Sequence, residues 1–373
     1  MSIPFTVTRA EGLARLAAFT PRMGRAYAAG RNTDRGPDRA PSTSVLSPYL
    51  RRRLITEEEA VTAALDAHGP EGAEKFVQEV FWRTYFKGHL ETRPGLWTDY
   101  QTRLAAARSR LAAESGLRRV YENAVSGRTG IDGFDDWAQD LVEQNWLHNH
   151  TRMWFASIWI FTLRLPWALG ADLFLRHLVD GDPASNTLSW RWVAGLHTRG
   201  KPYVARAENI HRFTDGRYSP VGLDEDPEPL DEPEVAAVPL PPADPAPEEE
   251  VALLLHLEDL NPESLPLGRA RVVRVAGLVA HPEGAVPALV AANEMAMADA
   301  LDRASQHFSC AVGEAEGLSL VTAWAPVDPS AAALPPAVRV RRVWDSVAWP
   351  RATRGFFQVK AAIPRVLEAV RAA

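Results

Sequence analysis

Between Trp146 and Trp192 the chain reads WLHNHTRM, then LPW, then LVDGDPASNTLSWRWVAG. Amides, carboxylates and a guanidinium alternate here with large aromatic rings. Such a mixture can hold a planar heterocycle: polar groups bind its edge while aromatic and apolar surfaces cover its faces. Two earlier segments carry complementary chemistry. In EVFWRTYF, Glu79, Trp82 and Arg83 stand at i, i+3 and i+4, on one face of a helix. In TSVLSPYL, Thr43, Ser44 and Ser47 gather hydroxyls and backbone amides near a helix start. Helix starts offer unpaired N–H groups to a diphosphate. Each segment alone has a plainer explanation. Thr43 to Ser47 could be an ordinary cap and turn, and Glu79 with Arg83 an ion pair over a core ring.

The four blocks RAYAAGRN with TSVLSPYL, EVFWRTYF, NWLHNHTRM and LVDGDPASNTLSWRW occur in the order and at the spacing of one family. Over residues 10–220 the chain resembles the FAD-binding helical domain of the photolyase/cryptochrome family. The resemblance implies FAD as cofactor. Tyr27, Thr43, Ser44, Leu46 and Ser47 would hold its diphosphate side. Glu79, Arg83, Asn149, Arg152, Asp180, Asp182 and Asn186 would complete the cofactor site, with Arg152 paired to Asp180 beside the flavin ring. Asn186 would sit opposite flavin N5, a choice that favours a stable reduced flavin.

The same resemblance implies a lesion pocket. Trp82 and Trp192 would be its aromatic walls, with Glu79, Asn149 and Met153 contacting a flipped pyrimidine pair. Trp190 would lie next to the flavin and Trp167 would continue an electron-hopping chain. Trp97 is the nearest candidate for a third member, with Trp154 and Trp159 also available. Trp137, Trp154 and Trp159 read as core packing. His150 departs from the family, which often has arginine there. His148 and His150 leave a 6-4 photoproduct activity open beside cyclobutane-dimer repair.

The implied function is light-dependent DNA photolyase, in which photoexcited reduced FAD passes an electron to a flipped cyclobutane pyrimidine dimer. UV-damaged DNA is the implied partner. A cryptochrome-like blue-light photoreceptor without repair activity is the alternative, and a flavoprotein held by partners through its last region is a third reading. Family members usually begin with an α/β domain that holds an antenna pigment. Here the helical region comes first, and nothing in the sequence points to an antenna pigment.

Bulk properties bound these expectations. The 373 residues suffice for two domains. Residues 1–220 carry 29 Lys/Arg against 24 Asp/Glu, a small basic excess on the part that would meet nucleic acid. Residues 221–250 carry 11 acids and no bases, and residues 251–373 balance at 12 against 12. The lone Cys310 excludes an internal disulfide framework and a four-cysteine iron–sulfur cluster. No His/Cys group has metal-ligand spacing. No apolar run approaches ~20 residues and no signal pattern opens the chain, so a cytoplasmic protein without a membrane span is expected.

The elements that must position these groups follow from pattern. Residues 1–220 read as helical, punctuated by Pro166 and Pro183. Thr56 with Glu59 forms a capping box ahead of EEEAVTAAL. Residues 221–250 form a Pro-rich acidic linker, extended or disordered. Residues 251–373 read as a small α/β domain with strands at 251–257, 271–278, 319–324 and 338–344 and helices at 287–308 and 354–371. No phosphate-binding glycine loop occurs there. This domain is either the antenna domain relocated or an unrelated module. The fold class is therefore an α-helical FAD-binding domain of photolyase type, followed by a small α/β domain.

Overall fold

The computed structural model describes residues 5–373; residues 1–4, the start of the helical region, lie outside the described residues. Helices fill the chain to Phe213 and a parallel sheet follows. The longest helix, Glu57–Glu91, starts at the Thr56 capping box, in which Thr56 Oγ1 accepts from Glu59 N and Glu59 returns a bond to Thr56 N. It bends at Gly69, which has φ +67° ahead of Pro70. Glycine reaches that φ without a Cβ clash, and proline cannot continue the hydrogen-bond ladder. The two amphipathic stretches of the sequence are thus one kinked element. Its second half carries Glu79, Trp82, Arg83 and Lys87.

Three further helices face it. Asn149–Ser157 widens into a π-helical stretch, Ile158–Thr162. Trp167–His177 begins just after Pro166, which cannot donate to a preceding turn. Pro183–Val193 is capped by Asp182, whose Oδ1 accepts from Ser185 N at 2.7 Å. Aspartate at the cap and proline at the first position are the residues a helix start favours.

The sheet consists of β1 (Glu250–His256), β2 (Arg271–Leu278), β3 (Ala311–Val312), β4 (Ser319–Ala323) and β5 (Val338–Val340). All neighbours are parallel, in the order β3-β2-β1-β4-β5. The helix Pro287–Phe308 runs between β2 and β3, with the bounds its amphipathic pattern predicts. Two boundaries differ from expectation by more than one residue. The strand expected to run to 344 ends at Val340, because Arg342 turns onto Asp259 and Trp344 enters a helix, Val343–Ala348, whose indole donates to Thr84 Oγ1. The last helix starts at Phe357 rather than 354, after the loop Ala352–Phe356.

The helical and sheet regions are not separated by a solvated seam. One hydrophobic cluster joins Val7, Tyr49 and Phe81 to Leu253, Val275, Val321 and Trp344. A second gathers Trp137, Trp154, Trp159 and Trp190 inside the helical region. Residues 221–250 run extended across the surface and are tied down. Leu230 N donates to Ala194 O, Val238 N to Thr92 O, and Glu232 accepts from the Trp167 indole and Arg191. Composition alone does not decide between an extended and a disordered state; these bonds do. Among the described residues no helix is long and apolar enough to cross a membrane.

Candidate active site

Two cavities of about 410 and about 260 Å³ meet along a common wall. Glu79, Arg83, Asn149, Arg152, Asp180 and Asp182 line both. The smaller cavity is also lined by Tyr27, Thr43, Ser44, Leu46 and Ser47, the larger by Trp82, Met153, Asn186, Trp190 and Trp192. Segments more than a hundred residues apart therefore converge on one bipartite space. Trp167 lies outside both cavities.

In the smaller cavity the chain between Ser44 and Leu46 is strained. Val45 adopts φ +52°, a conformation that a β-branched residue pays for with about 1–3 kcal/mol. The helix after it, Ser47–Arg51, has only five residues, so little dipole can build up there. Binding of an anion would rest on hydroxyls and amides rather than on the helix end. Tyr27 contributes its ring mainly to packing, edge-on to Phe19 and Phe76, and its burial raises the phenol pKa. Arg31 and Trp146 also line this cavity.

The charged groups of the shared wall are fixed in different ways. Arg152 Nη2 donates to both oxygens of Asp180, at 3.0 and 2.8 Å. Asp182 Oδ2 lies 2.7 Å from the Lys87 ammonium. Burial alone would raise the Asp182 pKa, but Lys87 and Arg83 hold it below the usual range. Arg83 does not pair with Glu79 one turn back; it bonds Glu57 and the Arg51 carbonyl. Glu79 instead approaches Arg31 at 3.5 Å, and burial raises its carboxyl pKa. A carboxyl so placed can hold a proton that a solvated one would lose.

In the larger cavity each tryptophan of the mouth is backed by a second ring. Trp82 stacks on Phe356 at 3.9 Å and 8°, and Trp192 on Tyr203 at 5.3 Å and 28°. Asn186 Nδ2 donates to Ala171 O at 2.8 Å, which leaves its carbonyl oxygen as the free end. Trp190 closes the inner end, edge-on to Phe174 and Trp159. It packs against Gly170, where any Cβ would collide with the indole. Gly170 stands one turn beyond Trp167 on its helix, so Trp190 rests on the element that carries Trp167. Trp167 itself is buried and meets Tyr100, which meets Trp97. That aromatic sequence leads outward to the partly exposed Trp97.

His148 and His150 line neither cavity. His148 bonds Ser42 Oγ, and His150 bonds Asn32 O and Tyr203 OH while stacking on Trp154. His150 thus supports Trp192 from behind, through Tyr203. Trp137, Trp154 and Trp159 are at most 1% exposed and serve the core.

Residues 76–220 match the sequence profile of the FAD-binding domain of DNA photolyase. Over that stretch the chain is similar in sequence to the photolyase/cryptochrome family. The chain is similar to the deoxyribodipyrimidine photo-lyase of Streptomyces griseus, 36% identical over 162 residues, which cover 43% of this chain and 34% of that enzyme. The corresponding enzyme of Alkalihalophilus pseudofirmus is 29% identical over 52% of this chain and 39% of its own length. Among solved structures, a bacterial class III photolyase from Agrobacterium tumefaciens is 26% identical, covering 56% of this chain and 43% of that one with a TM-score of 0.46. The chain spans about a third of the length of the curated relatives it matches.

The donor set fits the cofactor of photolyase-type domains. Arg83 Nε, Trp146 Nε1 and Trp190 Nε1 are buried N–H groups without a protein acceptor. Buried donors without partners are costly, and an acceptor-rich ligand in the joined cavities would relieve that cost. Among the described residues no group of His, Cys, Asp and Glu could hold a metal ion.

Several residues of the site escaped sequence reasoning. Arg31, Asn32 and Ser185 lie inside the matching blocks but carry no distinctive spacing. Lys87 sits one turn beyond Arg83 on the same helix, and its significance depends on Glu258. Glu258 follows β1, 171 residues away, and bonds both Lys87 and Arg51. Burial would raise the pKa of Glu258, but those two cations hold it well below the usual range. Burial and the Glu258 charge in turn push Asp328 well up. No local pattern links these groups; only the sheet's carboxyl edge brings them together.

Proposed function

We propose that this chain binds FAD in the joined cavities and repairs cyclobutane pyrimidine dimers in DNA under blue light. The observation that carries this reading is the convergence of both residue sets on one space. The hydroxyl-lined cavity suits the diphosphate, and the aromatic-mouthed cavity suits the ring system and a flipped base pair. Bound in reduced form, FAD would supply the excited electron that opens the cyclobutane ring, and would take it back afterwards. Thr43, Ser44 and Ser47 would hold the diphosphate side, with Tyr27 and Leu46 shaping it. Arg152 and Asp180 would flank the ring, Asp182 its polar edge. The Asn186 carbonyl oxygen would accept a hydrogen bond from a ring N–H, and Arg83 and Asn149 would complete the cofactor wall.

Toward the mouth, Trp82 and Trp192 would stack on the extruded pyrimidines, with Met153 filling apolar space between them. Glu79, with its raised pKa, would hold a hydrogen bond to a base edge. Trp190 and Trp167 would resupply electrons along the helix that carries Gly170, and Tyr100 and Trp97 would extend that route to the surface.

The test has two stages. The purified protein should be yellow and carry FAD in stoichiometric amount, and colourless protein that takes up no FAD on reconstitution would end the reading. Photoreduced protein should then restore dimer-containing oligonucleotide under blue light. Retained FAD and photoreduction with equal affinity for damaged and undamaged DNA would instead favour the cryptochrome-like photoreceptor.

A further inference from the structure

The loop between Trp349 and Phe357 reads WPRATRGFF and belongs to the sheet region, yet it is clamped onto the helix that carries Trp82. Neutral His89 donates from Nδ1 to Ala352 O at 2.9 Å, and Arg93 donates to Thr353 O at 2.8 Å. The contact is close because residue 88 is glycine: a Cβ there would meet Trp349 and Ala352. The loop ends on two phenylalanines with opposite fates. Phe356 is buried and stacks flat on Trp82, a ring of the larger cavity. Phe357 is 80% exposed. Arg351 and Arg354 are also exposed, and neither forms an ion pair among the described residues. An apolar ring held out in water beside guanidinium groups is chemistry suited to a polyanion with stackable bases.

We propose that this loop is a DNA-docking element supplied by the sheet region, in which Phe357 enters the gap left when the base pair flips and Arg351 and Arg354 hold the flanking phosphates. The inference rests on the DNA-repair reading above. Flipping leaves a hole in the stack, and its neighbours lose contact on one face. A ring one residue from the side chain that stacks on Trp82 would restore that contact, as apolar wedges do elsewhere between base steps. Phe356 fixes the offset between wedge and cavity, because it is bonded to Phe357 and stacked on Trp82. The partner is double-stranded DNA containing the lesion, since a short single strand has no stack to repair.

The experiment measures binding of the full-length FAD-loaded protein to three probes: dimer-containing duplex, dimer-containing short single strand and undamaged duplex. Phe357→Ala should weaken the lesion duplex about tenfold, the scale of one base-stacking contact, and spare the single strand. Phe357→Tyr should restore most of the loss. Arg351→Gln and Arg354→Gln should weaken both duplexes alike and reduce the salt slope by about one each. Trp82→Ala separates the two levels of argument. If it abolishes lesion preference while Phe357→Ala and the arginine changes leave lesion-duplex binding as in the parent, the docking element is wrong and the repair reading stands. If Phe357→Ala weakens single strand and duplex equally, the wedge is likewise overturned. If the parent shows no lesion preference and Trp82→Ala changes nothing, the repair reading fails and takes this inference with it.

Discussion

Asp180 and Asp182 stand two residues apart at the same cavity wall, and their charges are balanced by different networks. Asp180 meets Arg152, a residue of its own helical region and only 28 positions away. Arg152 keeps 23% of its side chain exposed. Asp182 meets Lys87, whose other partner is Glu258 from the carboxyl end of β1. Lys87, Asp182 and Glu258 are all nearly inaccessible. The first pair is a local clamp that can open into the cavity. The second is part of a closed network that depends on the sheet region being docked. The difference shows that the sheet region shapes the cavity wall even though it contributes no lining residue to either cavity.

That contrast breaks most sharply at Lys87. Lys87→Met leaves Asp182 with only the more distant Arg83 and Glu258 with Arg51 alone, and should cost about 3 kcal/mol of stability, read from the denaturant midpoint. Arg152→Met should cost less, because water can reach what it leaves behind, while weakening FAD retention more selectively. Adding Glu258→Gln to Lys87→Met should recover part of the loss. A single lysine variant as stable as the parent would show that the two carboxylates are not bound by this network.

The aromatic walls offer the next test. Trp82→Ala and Trp192→Ala should each weaken binding to dimer-containing DNA by about 1–3 kcal/mol while FAD content stays constant. Trp82 is backed from the sheet region and Trp192 from the helical region. Loss of Phe356 should therefore impair Trp82 alone, and loss of Tyr203 Trp192 alone, in the same binding assay.

Gly170→Ala tests the contact between Trp190 and the helix of Trp167. The added methyl has no room, so the Trp190 ring must shift, at about 1–3 kcal/mol for overpacking. Flavin photoreduction should slow, as it should in Trp190→Phe, while repair by pre-reduced protein is largely kept. Unchanged photoreduction in both variants would mean that electrons arrive by another route.

The last comparison concerns protons. Burial pushes the His89 pKa down to about 3 and those of His148 and His197 down to about 4. The unfolded chain would protonate these rings near pH ~6.5. Between those values the unfolded state binds more protons, so stability rises with pH. Acidification should lower the urea midpoint progressively from about pH 6.5 toward about pH 4, ahead of the carboxylates of the Lys87 network. A midpoint constant over that window would show that these histidines titrate alike in both states.

Much of the helical region is legible because its determinants are local. The Thr56 and Glu59 cap there, like the 287–308 amphipathic stripe of the sheet region, rests on residues within a few turns of one another. The continuity of Glu57–Glu91 is not legible, because Gly69 and Pro70 interrupt its pattern. The overrun past Val340 came from alternation in VRVRRVW, which tertiary contacts of Arg342 and Trp344 override.

The candidate site divides along the same line. Sequence by itself determined which residue types could surround a planar cofactor, because the matching blocks are short, ordered and chemically distinctive. It also determined that residues 221–250 could not form a core, because they are acidic and proline-rich. Only the tertiary structure decided that this segment lies down as a strap, since Glu232 needs Trp167 and Arg191 to hold it. Only the tertiary structure decided the strand order β3-β2-β1-β4-β5, and with it the place of Glu258 beside Lys87. Buried charge pairs and stacked rings act over a few ångströms of space. Along the chain Lys87 and Glu258 are 171 residues apart, and Trp82 and Phe356 are 274, so no window of sequence contains either pair.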